Sequence, residues 1–354
     1  MSKDAKPHDR GGAGPARPGA NRATSSTRGL ESADSSRPAS DATLRAPVKV
    51  FHHDRYNIDL GLLNRLHPFD GRKFRRVRER VEGRPGVELV QVAAPVERER
   101  IDAFVTPSQR ANLAGKRYVL RALEAPWLPL PLSWIDRRIL EPMRWGVAGT
   151  LAAAEAALAG ERRCWNLSGG YHHASRQSSE GFCIYNDIGI AVQALRESGR
   201  LAPQHRVLII DVDAHHGNGN AQVFMDDPSV TILDIYNSQT YPRSPRTWDR
   251  VDIDLPLRRG TAVRQYLDRL CEGLDRLPAD ARLAFVVAGT DVLHTDPLGG
   301  LLLTADDCVA RDEIVLGHLA SLGVPAVVVG GGGYGPESVD AIAQSILVNA
   351  RETR

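Results

Sequence analysis

Four short runs of β-branched and aliphatic residues constrain the fold of this chain more than any other feature of its sequence. They occupy residues 206–213, 230–235, 283–288 and 325–329. Each run is apolar on both faces, as expected for a strand that is buried on both sides of a parallel sheet. Helical patterns at residues 146–159, 187–198, 262–277 and 304–322 alternate with these runs, and a glycine follows three of them. The alternation predicts an α/β fold in which helices cover a parallel sheet.

Local signals fix the ends of two of these helices. Thr304 and Asp307 have the spacing of a capping pair at the start of the helix at 304–322. Pro336 has the character of a first-turn proline, which predicts a last helix from that residue to Val348.

Composition limits the partners of the chain. Its 45 Lys and Arg nearly balance 43 Asp and Glu, so there is no strong basic field, and we expect no nucleic-acid partner. No apolar run approaches the length of a membrane span, and the first thirty residues lack a signal-peptide core. The four cysteines form no C-x-x-C pair. We therefore expect a cytoplasmic protein without a membrane partner, and the oligomeric state stays open.

The first 45 residues differ in composition from the rest of the chain. Residues 1–45 are dominated by Ser, Ala, Gly, Pro, Arg and Asp and carry few large apolar side chains. Such a segment is predicted to be a disordered tail, because it cannot bury enough apolar surface to offset the loss of conformational entropy. Its acidic residues disfavour a transit peptide. Residues 46–354 are then expected to form one domain.

Polar side chains cluster where the predicted strands end, which is where open parallel sheets bind ligands. The first run ends in D-V-D-A-H-H-G-N-G from Asp211, the third leads into G-T-D ending at Asp291, and the fourth into four glycines and Tyr334. A further cluster, S-G-G-Y-H-H, ends at His172 and His173.

Asp213, His215 and Asp291 form a ligand set suited to Zn²⁺ or Fe²⁺. Three protein ligands leave a coordination position open for water and substrate, as in catalytic zinc sites. Any one of these residues alone could equally cap a helix or line a solvated loop. Together with Asp211 and the second histidine of the H-H pair, however, the carboxylates and imidazoles crowd the end of an apolar strand, and a cation would offset their desolvation.

The paired histidines and the tyrosine have the properties of catalytic groups. His172 and His173 lie in a glycine-rich turn, and the pair favours general acid–base chemistry over a structural role. Tyr334 follows four glycines, where its phenol could donate a hydrogen bond to a developing oxyanion. The alternative is a tyrosine that packs against the next helix.

These motifs resemble those of the histone deacetylase superfamily. The strings G-G-Y-H-H, D-V-D-A-H-H-G-N-G, A-G-T-D-V-L-H-T-D-P-L-G-G and G-G-G-G-Y occur here in the family's order. The strings R-Y-N-I, L-H-P-F-D, G-F-C, D-I and D-I-Y-N are similar to a bacterial member of the class IV branch. The resemblance runs from about residue 48 to residue 348. It implies the arginase/deacetylase fold, a single three-layer α/β/α domain with a central, mainly parallel, eight-stranded sheet.

The resemblance also implies roles for individual residues. The zinc ligands are Asp213, His215 and Asp291, and the catalytic group is His172, His173, Tyr334, Asp211 and Asn218. The walls and rim of an acyl-lysine tunnel are Gly181, Phe182, Tyr241 and Leu298. A structural potassium site would involve Asp211, Asp213, His215, Asp234 and Ile235.

Two positions depart from the family pattern. Many deacetylases have an aspartate where this chain has Asn218, which we expect to orient His173 without raising its basicity as a charge would. Many relatives have a serine where this chain has Asp234, so the potassium site is expected to be altered.

The implied activity is zinc-dependent hydrolysis of Nε-acyl-lysine, either as a deacetylase or as a long-chain deacylase. An acylpolyamine amidohydrolase is the alternative with the same metal, and its substrate would be a small acylated amine. A non-catalytic binding module should lack a ligand or the tyrosine, and an arginase-like dimanganese hydrolase should have more carboxylates. The proline-rich stretch at 125–131, with Trp127 and with Trp134 nearby, could be a rim loop, a packing loop or an oligomer contact.

Overall fold

The computed structural model describes residues 47–58, 70–242 and 245–351. The predicted tail at 1–45 and the L-H-P-F part of one class IV string, residues 66–69, lie outside the described residues. Among the residues described, no helix combines the length and apolarity needed to cross a bilayer.

The centre of the domain is one sheet of eight strands, and all neighbouring strands pair in parallel. The spatial order is β2-β1-β3-β8-β7-β4-β5-β6. The strands are β1 (Val48–His52), β2 (Val87–Gln91), β3 (Arg163–Asn166), β4 (Arg206–Asp211), β5 (Val230–Asn237), β6 (Ile253–Leu257), β7 (Ala281–Val287) and β8 (Ala326–Val329). The predicted parallel α/β fold with eight strands is confirmed.

Helices cover the sheet in two packed groups, one of α10, α11, α12 and α1 and the other of α6, α7 and α8. Their bounds are α1 (Lys73–Val81), α2 (Arg98–Phe104), α3 (Pro107–Leu113), α4 (Lys116–Ala122), α5 (Leu132–Ile135), α6 (Glu141–Leu158), α7 (Asp187–Glu197), α8 (Asn218–Val223), α9 (Pro245–Trp248), α10 (Val263–Leu274), α11 (Ala305–Ser321) and α12 (Ser338–Ala350). A single π-helical turn, Asp136–Leu140, joins α5 to α6, and a 3₁₀ turn, Asp54–Tyr56, follows β1.

The apolar residues divide into two clusters. The larger one packs around the sheet, where β4, β5, β7 and β8 are buried along almost their whole length. The smaller one joins α2, α4, the π-helical turn and the start of α6 to residues before and within α7. This second cluster lies next to the cavity described below and supplies part of its wall.

Several predicted boundaries differ from the structure by a few residues, and two of these differences bear on the site. The strand predicted over 206–213 ends at Asp211, so Asp213 lies in the loop beyond the sheet and is free to face a ligand. The last helix begins at Ser338 rather than at Pro336, because Gly335 and the preceding residue are held by hydrogen bonds to Asp296. The capping box of Thr304 and Asp307 is present as predicted.

Candidate metal centre and active site

Asp213, His215 and Asp291 converge at the carboxyl edge of the sheet. The first two follow β4 and the third follows β7, which is the neighbour of β4 in the sheet. One potential ligand atom from each residue lies within 4.8 Å of the others, and all three residues are buried. His215 Nδ1 is 2.8 Å from Asp291 Oδ2 and 3.2 Å from Asp213 Oδ1. The predicted ligands therefore meet at one point.

Backbone donors orient both carboxylates. Gly332 N–H donates to Asp213 Oδ2 at 2.7 Å, and Ala214 N–H donates to Asp291 Oδ1 at 2.9 Å. A Cβ at Gly332 would lie 2.0 Å from Asp291 Oδ2, so glycine is required for the loop to come this close. The carboxylates are thus fixed before any cation binds, which favours a defined metal geometry.

The electrostatics of the three residues fit a divalent cation. Burial raises the pKa of Asp291, and the adjacent carboxylate of Asp213 raises it further. Burial lowers the pKa of His215, but the two carboxylates outweigh it and hold that pKa well above its ordinary value. The pocket therefore favours a positive charge at its centre. Zn²⁺ or Fe²⁺ bound by the same donors would supply that charge.

The two adjacent histidines have different partners and different proton affinities. His172 Nδ1 is 2.8 Å from Asp211 Oδ2, whereas His173 Nδ1 is 2.8 Å from Asn218 Oδ1. Burial lowers the pKa of His172, but Asp211 and Asp213 raise it to about 9. Burial and the neighbouring imidazoles lower the pKa of His173 well below its ordinary value. The first histidine therefore binds a proton more tightly than the second.

The loop that carries the histidines is anchored to α7. Asp187 accepts hydrogen bonds from the backbone N–H groups of Gly170 and Tyr171, at 2.9 and 2.8 Å. Gly170 has φ of +73°, and a Cβ there would lie 2.7 Å from the backbone of Gly330. The glycine before the histidines thus allows two loops of the site to touch.

Tyr334 lines the same cavity as the metal and histidine groups. Burial raises the pKa of its phenol well above the ordinary value, and Asp291 and Asp213 raise it further, so the hydroxyl keeps its proton and can donate a hydrogen bond. Asp296 fixes the backbone here, because its Oδ2 accepts from the N–H groups of Tyr334 at 2.7 Å and of Gly335 at 3.1 Å.

An apolar cavity of about 110 Å³ extends from these polar groups. It is lined by His172, His173, Asp213 and His215 on one side. Side chains of α1, α4, the 125–130 loop, the π-helical turn and α6 line the other side. The apolar lining consists of Ile58, Phe74, Leu120, Leu123, Ala125, Trp127, Leu128, Leu130, Ile139 and Met143. The 125–131 stretch therefore forms part of a pocket wall. Trp127 is 69% exposed, and Trp134 packs in the smaller core cluster.

The predicted tunnel residues occupy three kinds of position. Gly181 and Phe182 line the cavity, and a Cβ at Gly181 would lie 2.4 Å from the His173 ring. Tyr241 packs against the same ring, with centroids 5.2 Å apart. Leu298 is half-buried and does not line this cavity, so its position at the rim stays a prediction.

The predicted potassium residues lie on β4 and β5 and in the loop after β4. Asp211 and Asp234 are register partners on these adjacent strands, and Ile235 follows the latter. Asp234 Oδ2 accepts from His216 Nδ1 at 2.7 Å and from Gly217 N–H at 2.9 Å, if the histidine carries its proton on Nδ1. Its buried Oδ1 has no hydrogen-bond partner among the described atoms. A cation would satisfy this oxygen, so the residues fit the group that the resemblance implies.

Three residues near the site were not singled out from the sequence. Asp296 is the second aspartate of the A-G-T-D-V-L-H-T-D-P-L-G-G string, and its place in that motif is the sequence signal that points to the site. Lys73 is buried, and its Nζ donates to the carbonyl of Gly331 at 3.1 Å. Burial lowers the pKa of this amine to about 8, and the site carboxylates oppose that shift. Glu180 lies 2.5 Å from the amide nitrogen of Asn218.

Comparison with known proteins identifies the family of the chain. The model of the histone deacetylase domain matches residues 96–350. The chain belongs to the histone deacetylase family. It is 34% identical to histone deacetylase 2 of Arabidopsis thaliana over 306 residues, which are 84% of this chain and 78% of that protein.

Other family members include bacterial amidohydrolases. This deacetylase-family chain is 32% identical to the acetylpolyamine amidohydrolase of Burkholderia pseudomallei over 216 residues, 57% of this chain and 60% of that enzyme. The crystal structure of the acetylpolyamine aminohydrolase from the same organism superposes with a TM-score of 0.68 at 20% identity, over 86% of this chain and 98% of that one. The HD domain of HDA15 gives 0.64 at 19% identity, over 86% and 90%. The fold is therefore that of the family, and its members support a deacetylase-type amidohydrolase activity.

Proposed function

We propose that the protein is a zinc-dependent hydrolase of Nε-acyl-lysine, and that it accepts acyl chains longer than acetyl. The proposal rests on one observation. Asp213 and His215 of the metal-ligand triad, the histidine pair and Tyr334 line a single cavity whose remaining wall is largely apolar, and Asp291 lies beside the first two. An acetyl group alone would leave most of that apolar wall without a partner, whereas a longer chain would cover it.

Asp213, His215 and Asp291 would hold the zinc ion. Bound there, zinc would polarise the scissile carbonyl and lower the pKa of water to about 7. Fe²⁺ suits the same donors, so the identity of the ion belongs to the proposal.

The side chains divide the remaining work. His173 accepts the proton of the attacking water at Nε2, because its Nδ1 is occupied by Asn218, and then delivers it to the leaving amine. His172, held by Asp211, supplies positive charge. Tyr334 donates its phenolic O–H to the carbonyl oxygen as negative charge develops there. Gly181, Phe182 and Tyr241 enclose the substrate stem.

A panel of lysine peptides tests the activity and the chain length together. Purified, zinc-loaded enzyme is incubated with acetyl-, butanoyl-, octanoyl- and tetradecanoyl-lysine peptides, and the released acid is quantified. We expect kcat/KM to rise from acetyl to octanoyl. Leu128→Trp should lower kcat/KM for octanoyl-lysine far more than for acetyl-lysine, because it fills the apolar part of the cavity. If the metal is bound and every substrate stays intact, the proposal is wrong.

Acylpolyamine hydrolysis is the second candidate, and the similarity to acetylpolyamine amidohydrolases favours it. Acetylspermidine and acetylputrescine, added to the same panel, separate the two functions. A kcat/KM for these amines above that for all peptides would assign the protein to small acylated amines.

The proposal also includes four further points. These are membership of the class IV branch, a disordered tail at 1–45 before a domain at 46–354, a cytoplasmic location, and a bound potassium ion. Potassium binding is supported by the unpartnered oxygen of Asp234 and is measured by adding K⁺ or Li⁺ during thermal unfolding.

A further inference from the structure

We infer that Glu180 is a positioning residue that selects the proton location on the second catalytic histidine through Asn218. The inference rests on the proposed function, because it assigns the residue that prepares His173 to act as the base. Glu180 stands outside the family motifs identified in the sequence, and its role follows from two contacts that meet at one amide.

The backbone of a tight turn brings Glu180 to this place. Glu180 N–H donates to Cys183 carbonyl at 3.1 Å, and Cys183 N–H donates back at 2.9 Å. The two residues between them, Gly181 and Phe182, have φ of +55° and +64°. Two successive residues in the left-handed region define a turn of type I′, and the non-glycine residue Phe182 is strained there. The turn both presses Gly181 against the His173 ring and aims the Glu180 carboxylate at the neighbouring amide.

The amide of Asn218 can present either its oxygen or its nitrogen to the histidine. With the oxygen inward, it accepts from His173 Nδ1–H, and Nε2 keeps the lone pair that takes a proton from water. With the nitrogen inward, it donates to Nδ1, and the proton moves to Nε2, where it blocks the base. A neutral amide has no strong intrinsic preference between these orientations.

Glu180 removes this ambiguity, because an ionised carboxylate only accepts hydrogen bonds. Its Oε1 lies 2.5 Å from Asn218 Nδ2, so the amide nitrogen must face outward and the oxygen must face His173. The first histidine receives a carboxylate directly, from Asp211 at 2.8 Å. The second receives one through an amide, which orders the ring and leaves it a weaker base than its neighbour.

The same carboxylate also contacts the tunnel wall. Glu180 lies beside the phenol of Tyr241, and it raises the pKa of that phenol together with burial, which is the larger cause. The ring of Tyr241 packs on the His173 ring. The carboxylate therefore supports His173 from two sides, through an amide and through an aromatic ring.

A swap of donor and acceptor tests the inference. Asn218→Asp places two carboxylates against each other, so we expect kcat to fall by at least about tenfold, which is a part of the roughly 10²–10⁴-fold that a general base contributes. The double variant Glu180→Gln/Asn218→Asp restores one donor and one acceptor, and its kcat should return to within about threefold of the wild type.

Glu180→Ala should lower kcat by about tenfold while KM changes little, and Glu180→Gln, whose amide oxygen can still accept, should retain most activity. Glu272→Gln removes the same charge at an exposed position of α10 and serves as the control.

A second readout does not depend on turnover. The ¹⁵N shifts of His173 in the zinc-loaded protein report which ring nitrogen carries the proton. We expect Nδ1–H in the wild type and in the double variant, and a shift toward Nε2–H in Glu180→Ala. Equal kcat for Asn218→Asp and the double variant, or an unchanged tautomer in Glu180→Ala, overturns the inference. Loss of zinc or of all activity in the wild type would instead count against the proposed function.

Discussion

Replacement of Tyr334 by phenylalanine separates the chemical role of its phenol from its structural role. The substitution removes one oxygen and keeps the ring, which packs near Phe182 with centroids 5.9 Å apart. It also leaves the backbone N–H groups of residues 334 and 335 bound to Asp296. Because these contacts are unchanged, we expect the loop to stay in place. The substitution should then remove only the proposed hydrogen bond from the phenol to the substrate carbonyl.

The expected loss is large because the phenol donates inside a partly closed, apolar cavity. Removal of one oxyanion donor typically costs about 10²–10³ in kcat, or about 2.7–4 kcal/mol of transition-state stabilisation. We expect this loss in Tyr334→Phe, with KM for an octanoyl-lysine peptide changed by less than about threefold, because the donor acts on charge that develops after binding.

The assay measures kcat and KM for the wild type and the variant, together with zinc content and the thermal unfolding temperature. Zinc content should be equal, because Tyr334 is not a ligand. A variant that keeps its zinc and retains kcat within tenfold of the wild type would refute the assigned role of the phenol. A variant that loses zinc would show instead that the loop holds the metal.

Three further predictions concern the metal, the tunnel and pH. Asp291→Asn should weaken zinc binding by more than about 100-fold in a zinc-buffered titration. This exceeds the usual effect of replacing a residue that only hydrogen-bonds to a metal ligand. Gly181→Ala and Gly199→Ala both put a side chain at positive φ, and each should cost about 1–2 kcal/mol in denaturant unfolding. Only the former should abolish activity, because its Cβ would lie 2.4 Å from the ring of the second histidine, whereas nothing lies within 4 Å of the latter. In the zinc-free protein, His172 has a pKa of about 9, above its ordinary 6.5, so its contribution to stability is complete below about pH 6.5 and is lost as pH rises through about 9. Asp211→Asn should flatten this dependence in urea unfolding, and an unchanged slope would contradict the pairing.

The sequence predicted those parts of the fold and site that depend on local pattern. Strands buried on both faces produce unbroken apolar runs, so β4, β5, β7 and β8 were readable to within a few residues. The convergence of Asp213, His215 and Asp291 is also predictable, because parallel strands bring their carboxyl ends to one edge and the polar residues follow directly. The predicted end of β4 shows the limit of sequence patterns, since valine and aspartate continue to alternate past Asp211, where the strand ends.

Other parts of the site depend on contacts between distant segments, which leave no local pattern. The apolar wall of the cavity comes largely from α4, the 125–130 loop and the π-helical turn, and most of its side chains resemble ordinary core residues. Glu180 lies 38 residues before Asn218, and nothing near either residue indicates that they meet. In the sequence, no charged residue is evident beside His173. In the fold, the turn at residues 180–183 brings the Glu180 carboxylate to Asn218, which contacts that histidine.

A buried arginine joins the two segments that carry Asp213 and Asp291, the proposed aspartate ligands. Arg311, on α11, is fully buried, and its Nη1 donates to the carbonyl of Val212 at 3.1 Å and to that of Gly289 at 2.7 Å. Val212 immediately precedes the first aspartate ligand, and Gly289 lies two residues before the second. One guanidinium therefore ties together the ends of β4 and β7, and the adjacent Asp312 balances its charge. A buried arginine is expensive to desolvate, and here its hydrogen bonds join the segments after both strands. The two carbonyl acceptors and Asp312 offset part of the desolvation cost, and the cross-link limits relative movement of the loops that carry Asp213 and Asp291.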